Sequence, residues 1–478
     1  MPARILAITI TLVAAHALQA AEPDAQRYWP QWRGPLSSGV APHGNPPANW
    51  SETENVRWKT EIPGQGDASP IVWGDRVFVV TAIKKDAPAG EAPEQPDQPG
   101  GGESAAPRGP SVPQDAAPQD PPARPDRPGR QGRGGGRPGG NRPTSAYEFV
   151  VIALDRATGK VAWQTKVNEQ VPHEGTHPDA SFASPSPVTD GEHVFAYFGS
   201  YGLYCLDMNG KVVWKKNLGE MRVRNAFGEG ASPALHGDTL VVNWDHEGDD
   251  FIAAFDKRTG NERWRTPRDE PTTWATPLIV QVGSQAQVIT VGTNRCRSYD
   301  LKTGEVIWES GGLTQNCIPS PLSDGRVAYL ISGFRGSALK AVRLEGAKGD
   351  ISSSPNILWT YEQNTPYVPS GLLYRDLLYF LDNNRAMLTC LNARTGEKHY
   401  GPERLEGLRN IYASIVAAQD RVYISDRDGA TLVIEAGPTL RVIATNKLDD
   451  SFDASPAIAG DEIFLRGSRH VYCIAKAR

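Results

Sequence analysis

Side chains able to do chemistry recur in this chain at one kind of position, just ahead of short apolar runs. Gln65 and Asp67 precede one such run, His177 and Asp179 another, and Asn225 with Glu229 a third. Trp274, Asn316, Tyr367, Asn410 with Tyr412, and Phe452 with Asp453 hold equivalent places further on. Carboxylates, amides and aromatics brought together suit a small polar ligand or a peptide loop. They equally suit the wall of a water-filled channel. No pattern among them specifies catalysis. There is no G-x-S-x-G elbow, and no Ser, His and Asp lie in a telling arrangement. His173 and His177 are close but lack a further Cys or His for a metal shell. The run Asp245-His246-Glu247-Gly248-Asp249-Asp250 is oxygen-rich, as Ca²⁺ loops are. It lacks EF-hand spacing, however, and reads as a solvated acidic loop. No catalytic residue and no metal ligand is assigned.

The elements that must position these residues are repetitive. Ala153-Leu154-Asp155, Thr158-Gly159 and Trp163 form a signature that returns as Ala254-Phe255-Asp256, Thr259-Gly260 and Trp264. It returns again as Ser298-Tyr299-Asp300, Thr303-Gly304 and Trp308, and one residue shorter as Cys205-Leu206-Asp207, Asn209-Gly210 and Trp214. The period is about 45 residues, the length of a four-stranded antiparallel blade. A second marker, a small residue beside Pro, opens each unit: Ser69-Pro70, Ser184-Pro185, Ser232-Pro233, Thr276-Pro277, Ser320-Pro321 and Ser455-Pro456, with weaker copies at Pro369-Ser370 and Ala413-Ser414. Polar turns and alternating apolar runs follow, the pattern of hairpins. The fold class is all-β, an eight-bladed propeller over 49–478.

Local chemistry explains the signature. The Asp accepts backbone N–H groups of the turn, and the Gly takes a positive φ. The Trp lies flat between neighbouring blades and buries apolar area. Blade five lengthens its turn between Ala341 and Trp359, blade six has Tyr400 for Trp, and blade seven has Ile443; these copies are expected to pack less well. Asn55-Val56-Arg57-Trp58-Lys59 resembles a final strand without a blade, while the C-terminal unit lacks its Trp strand. The first is therefore expected to complete the last and close the ring.

A chain of 478 residues with a net charge of −5 carries no nucleic-acid footprint over its body. Residues 1–21 have the make-up of an export signal, with Arg4, an apolar stretch and a small-residue cleavage zone, which places the protein in the periplasm or outside the cell. Residues 22–48 read as an extended segment lying on the ring. Cys205, Cys390 and Cys473 fall in the small core column of their blades and behave as hydrophobes. One disulfide, Cys296 with Cys317, stays open as an alternative. Residues 84–145 are Pro-, Gly- and Arg-rich and interrupt blade one between its second and third strands. Such composition is expected to be disordered. It is read as a solvated linker, or as a site for anionic polymers. Arg295, Phe334 with Arg335, Arg385, Arg427 and Arg466 fall in loops at one rim, where arginine and aromatics fit partner recognition.

The A-x-D-x-x-T-G-x-x-x-W signature resembles the pyrroloquinoline-quinone-type (PQQ-type) propeller repeat, over residues 50–478. That resemblance implies two groups. One is the quinoprotein alcohol dehydrogenases, which hold PQQ and Ca²⁺ in the central funnel. The other is the BamB-like, non-catalytic exported propellers, which act as scaffolds. The opening Trp29-Pro30-Gln31-Trp32-Arg33-Gly34-Pro35 looks like the lead-in of the second group. There is no adjacent Cys pair and no C-x-x-C-H haem motif as in the first. The resemblance thus implies a binding or scaffold module for an envelope protein or polymer, with no cofactor. A PQQ- and Ca²⁺-dependent dehydrogenase of alcohols or sugars is the alternative, and it requires carboxylates and an aromatic to converge in the funnel. Deleting residues 84–145 is expected to leave the ring folded; a large fall in thermal midpoint would show that the insert packs on it.

Overall fold

The computed structural model describes residues 25–85 and 140–476. The expected export signal over 1–21 and the body of the 84–145 insert lie outside the described residues. Eight antiparallel sheets form eight blades, seven of them four-stranded and one with an added fifth strand. Blade 1 is built from Ile71–Trp73, Arg76–Lys84, Tyr147–Asp155 and Val161–Gln170. Blade 8 takes Ala457–Ala459, Glu462–Arg466 and His470–Ile474 from the C-terminus and Val56–Glu61 from the N-terminus. The register Trp58↔Cys473 and Thr60↔Val471 closes the ring. Arg156 of blade 1 reinforces the seam, reaching Glu462 at 2.5 Å and the carbonyl of Ala459 at 2.8 Å.

Two concentric sets of contacts join the blades. The inner set is a hydrogen-bonded ring at the start of each innermost strand. The backbone N–H of Ser69 donates to the hydroxyl of Ser186, Ser186 to Ser232, and Ser232 to Thr276. Thr276 continues to Ser320, Ser320 to Ser370, Ser370 to Ser414 and Ser414 to Ser455. Ser455 closes the circuit on Ser69 at 3.0 Å. The opening step of blade 2 is therefore Ser186-Pro187. The expected Ser184-Pro185 lies two residues early, because the sequence repeats Ser-Pro there and only the second hydroxyl reaches the ring.

The outer set is the tryptophan signature. The indole of Trp58 covers Gly159 of the next blade, so closely that a Cβ there would sit 2.6 Å from the ring, and φ at Gly159 is +71°. Its N–H donates to Arg156 O at 2.9 Å, and Thr60 Oγ1 donates to Gly159 O at 2.7 Å. Trp163 with Thr165 and Trp264 with Thr266 repeat this lock on Gly210 and Gly304. Trp214 covers Gly260 and donates to Lys257 O. Asp155 and Asp256 each accept the N–H and hydroxyl of the turn threonine, and Asp207 and Asp300 accept two turn N–H groups each. The apolar core accordingly lies between adjacent sheets. Phe195 and Cys205 of blade 2, for example, pack with Leu240 and Phe255 of blade 3.

The exceptions depart from expectation in an instructive way. The lengthened turn of blade 5 does not loosen its seam. Its Gly349–Asp350 strand adds in parallel to Trp308 and Glu309 and seals Trp308 completely. In blade 7 the residue opposite Val433, where other blades carry Trp, is Ala444 rather than Ile443, which points outward and is 40% exposed. Blade 8 has no turn at that seam because the chain termini meet there, so a Trp would have no glycine to cover. Trp50 from the N-terminal segment fills the gap, stacked on Tyr423 and tied to Asn446.

The segment before the first strand crosses the face opposite the residues that precede the innermost strands. Trp29 pairs with Val72, Pro30 accepts from Thr189, Ala41 pairs with Ala417 and Asn45 donates to Gly460. Arg33, wholly buried, donates to Gly371 O at 2.6 Å. Replacing Trp308 by Ala is expected to destabilise the ring by about 3–5 kcal/mol in denaturant unfolding; a loss below about 1 kcal/mol would contradict its burial.

Candidate functional site

The loops that lead into the innermost strands converge on the ring axis, because every innermost strand begins at the hydroxyl ring. They enclose a pocket of about 280 Å³ whose inner end is formed by Trp32. The Trp32 indole N–H donates to Ser320 Oγ at 3.1 Å, so the N-terminal segment plugs the channel from the far side. The pocket is therefore blind. Its wall includes Asp67, His177, Asp179, Glu229, Trp274, Tyr367, Tyr412 and Asp453, all expected from sequence, together with Phe227, Ile318 and members of the hydroxyl ring.

The remaining expected residues fall elsewhere. Gln65 is exposed and pairs with Ala82 through its backbone, and Asn225 is exposed in a single 3₁₀ turn. Asn316 is buried beside Tyr367, while the Asn410 carbonyl accepts the N–H of Arg427. These amides support the loops without lining the cavity. Trp32 and Phe227 were missed. Nothing in the local pattern around Trp32 distinguishes it from Trp29, which packs flat beneath blade 1.

Arg427, expected at the rim, turns inward. Its guanidinium lies 2.9 Å from Asp179 Oδ1 and 2.6 Å from Asp453 Oδ1, and 4.3 Å from the centre of the Tyr412 ring. Tyr412 donates to Asp179 Oδ2 at 3.2 Å. Arg466 is no rim residue either. It is buried and donates to Val80 O, and burial lowers its pKa to about 10. Its neighbour Asp67 is pushed upward by burial, against the hydroxyls of Ser181 and Ser184 and the charge of Arg466. Burial raises Asp453 to about 6 despite Arg427. Glu229 accepts both the N–H and hydroxyl of Ser200 at 2.6 Å, yet burial pushes it to about 7. Arg295, Arg335 and Arg385 do remain at the rim, Arg295 paired with Glu309 and Asp350 and Arg385 with Asp382. Phe334 stacks on Tyr367 at 4.6 Å, joining rim to pocket. The insert returns beside the mouth, where Gly140 donates to Thr176 O.

The acidic run 245–250 is not a solvated loop. Asp245, His246 and Asp250 are buried, and Asp245 grips Arg268 at 2.6 and 3.0 Å while accepting from Thr273 and Asn243. All five cysteines are free and buried, which removes the Cys296–Cys317 disulfide. Among the described residues, one set of three acids or histidines converges as metal ligands do. It is Asp190, Glu192 and His193, and the Lys257 ammonium already lies 2.9 Å from Asp190. No helix among them is long and apolar enough to cross a membrane.

The raised acids make stability depend on pH with a definite sign. Between about 4 and about 7 the unfolded chain has released protons that Glu229, Asp453 and Asp250, itself raised to about 7 by burial, still hold. Stability from these groups therefore falls as pH rises through that window. Asp155 and Asp256, held down by the Thr158 hydroxyl and the Arg263 guanidinium, act below about pH 4 instead. The thermal midpoint should be higher at pH 5.5 than at pH 7.5 by roughly a few degrees, and Glu229→Gln should narrow the gap. A midpoint that rises with pH would show these acids to be ionised in the fold.

A family model described as outer membrane protein assembly factor BamB matches residues 148–399 and 249–478. No curated protein matches the chain. Among solved structures, a europium-containing methanol dehydrogenase aligns at 11% identity over 95% of this chain and 92% of its own, with a TM-score of 0.58. The quinohemoprotein alcohol dehydrogenase from Comamonas testosteroni aligns at 11% identity over 98% of this chain and 85% of its own, with a TM-score of 0.57. BamB from Moraxella catarrhalis aligns at 14% identity over 69% of this chain and 89% of its own, with a TM-score of 0.46. At such identities the two dehydrogenase likenesses speak to fold alone, and the third carries no argument. The family match runs from blade 1 to the C-terminus, well over half of the chain, and the protein belongs to the BamB-type family of PQQ-like repeat propellers.

Proposed function

We propose that this chain is an exported binding module, which captures a protein of the cell envelope at the face where the axial pocket opens. The observation that carries the reading is the blind pocket itself, with aromatic and acidic walls continuous with a rim bearing Phe334, Arg335 and Arg385. Aromatic and arginine side chains beside a concave anchor site are what protein recognition uses. The make-up of residues 1–21 supports export. The Arg-rich composition of residues 84–145 offers a second contact, for anionic polymers.

The donor set speaks against PQQ with Ca²⁺. The required acids and an aromatic do share the funnel, which is the condition that reading sets. PQQ is itself a polyanion, however, and the Arg427 guanidinium is already taken by Asp179 and Asp453. The thiols are dispersed and buried.

A photo-crosslinking residue placed at Arg335 or Arg385 in living cells should yield a discrete protein adduct, and one at Val213 on the outer edge of blade 2 should not. Equal labelling from both regions, or none, would count against the reading. Titration with PQQ and Ca²⁺ gives the decisive counter-result: saturable Trp quenching with thermal stabilisation would move the protein to the dehydrogenases.

A further inference from the structure

Carboxylates outnumber cations in the axial pocket. Asp67, Asp179, Glu229 and Asp453 line it. The guanidinium groups acting on them are Arg427, shared by Asp179 and Asp453, and Arg466, whose charge reaches Asp67. Four acids thus face two guanidinium groups and the His177 imidazole, whose Nδ1 lies 3.7 Å from Asp179 Oδ2. The contact between Arg427 Nε and Asp453 Oδ1 is close but lies outside hydrogen-bond geometry, so neither atom is fully satisfied. With Asp453 at about 6 and Glu229 at about 7, the pocket balances its excess negative charge with protons near neutrality. A positively charged guest would replace them.

The walls supply an independent indication. Trp274 is held by its indole N–H on Gly228 O at 2.7 Å, and Tyr367 by the stacked Phe334 ring, so both present fixed surfaces. Tyr412 already carries a guanidinium over its face at 4.3 Å, the geometry in which a ring quadrupole attracts a cation. Depth sets the size of the guest. Trp32 ends the cavity, and about 280 Å³ lies at the small end of ligand sites. That space admits one end-group and its stem.

We propose that the axial pocket receives a single cationic end-group, the ammonium or guanidinium of a lysine or arginine side chain presented by the partner. Asp453 and Glu229 take the charge, and Trp274 takes the apolar stem. The identity of the bearer rests on the binding-module reading above; the charge preference rests on the pocket alone.

The test uses the mature full chain with n-butylguanidinium, n-butylammonium, n-butanol and butyrate, followed by Trp fluorescence and calorimetry at pH 7.5. Both cations should bind saturably and at least tenfold more tightly than the alcohol, and butyrate should not bind. Asp453→Asn and Trp274→Leu should each weaken the cations at least tenfold. Butyrate or butanol binding as well as the cations would overturn the proposal, as would unchanged affinity in a folded Asp453→Asn variant. Should that variant fail to fold, calorimetry of the unaltered protein at pH 6.5 in two buffers of different ionisation enthalpy decides the matter. Cation binding must release protons, and no release overturns the site. Retained rim crosslinks without cation binding would sink this inference and spare the partner reading. Cation binding without rim crosslinks would do the reverse and make the pocket a receptor for free amines.

Discussion

Everything in this molecule hangs on a circuit of eight hydrogen bonds about its axis. Each link runs from a backbone N–H to a Ser or Thr hydroxyl in the next blade, at 2.9–3.0 Å. A closed circuit has no free end, so every innermost strand must start at the same height and the same distance from the axis. That requirement fixes the width of the channel and hence of the pocket above it. Ser and Thr are suited to the task because a hydroxyl accepts one hydrogen bond and keeps a proton for another. In six of the eight units a Pro follows directly, which holds the preceding residue extended and adds no further donor to the crowded axis. Loss of one hydroxyl would strand a buried N–H, a penalty of roughly 1–3 kcal/mol.

The outer tryptophan lock and the inner ring divide the work. The inner ring sets geometry, and the outer lock supplies buried area between sheets. This division explains why variation is tolerated outside and not inside. Trp308 loses its glycine partner to a longer turn, Tyr400 replaces a Trp, and Ala444 abandons the lock entirely. The hydroxyl position, by contrast, is Ser or Thr in all eight blades. At the last seam, where no turn exists to receive an indole, Trp50 approaches from outside the repeat. The N-terminal segment therefore repairs the one interface that circular closure leaves unfinished, and the same segment delivers Trp32 to the axis.

Legibility follows from this arrangement. The fold is readable because both contact sets demand particular residue types at a fixed period, and eight copies average out local exceptions. Those exceptions are what a single copy misleads on: Ser184 mimics Ser186, and Ile443 sits beside the structural position of Ala444. The pocket is readable in part. Being next to an innermost strand is enough to place Asp67, Asp179, Glu229, Trp274 and Asp453 near the axis. It is not enough to say which side chains turn inward. Asn225 and Glu229 share one loop, yet only Glu229 reaches the cavity, because Arg224–Ala226 makes a turn that carries Asn225 outward. Arg427 comes inward because Asp179 and Asp453, from two other loops, attract it together. Such a meeting of three loops has no trace in linear spacing.

Two buried acidic groupings in the same ring show what distinguishes structural charge from charge available to a guest. Asp245 is wholly buried against Arg268, and the pair is further bonded to Thr273, Asn243, Thr290 and Tyr299. Its desolvation is offset by partners on nearly every side, and it stabilises one conformation of the seam between blades 3 and 4. The axial acids are less deeply buried, Asp453 with 19% of its side chain exposed against none for Asp245, and they have fewer partners. Asp453 shares its one guanidinium with Asp179, and Glu229 is hydrogen-bonded by Ser200 alone, with the charge of His173 acting from further off. A ring that needed these acids for stability alone would be expected to pair them as it pairs Asp245, because unpaired buried charge weakens a fold. Asp453 and Glu229, whose carboxyls burial pushes up toward neutrality in the wall of a blind aromatic pocket, are instead poised to respond to what enters it.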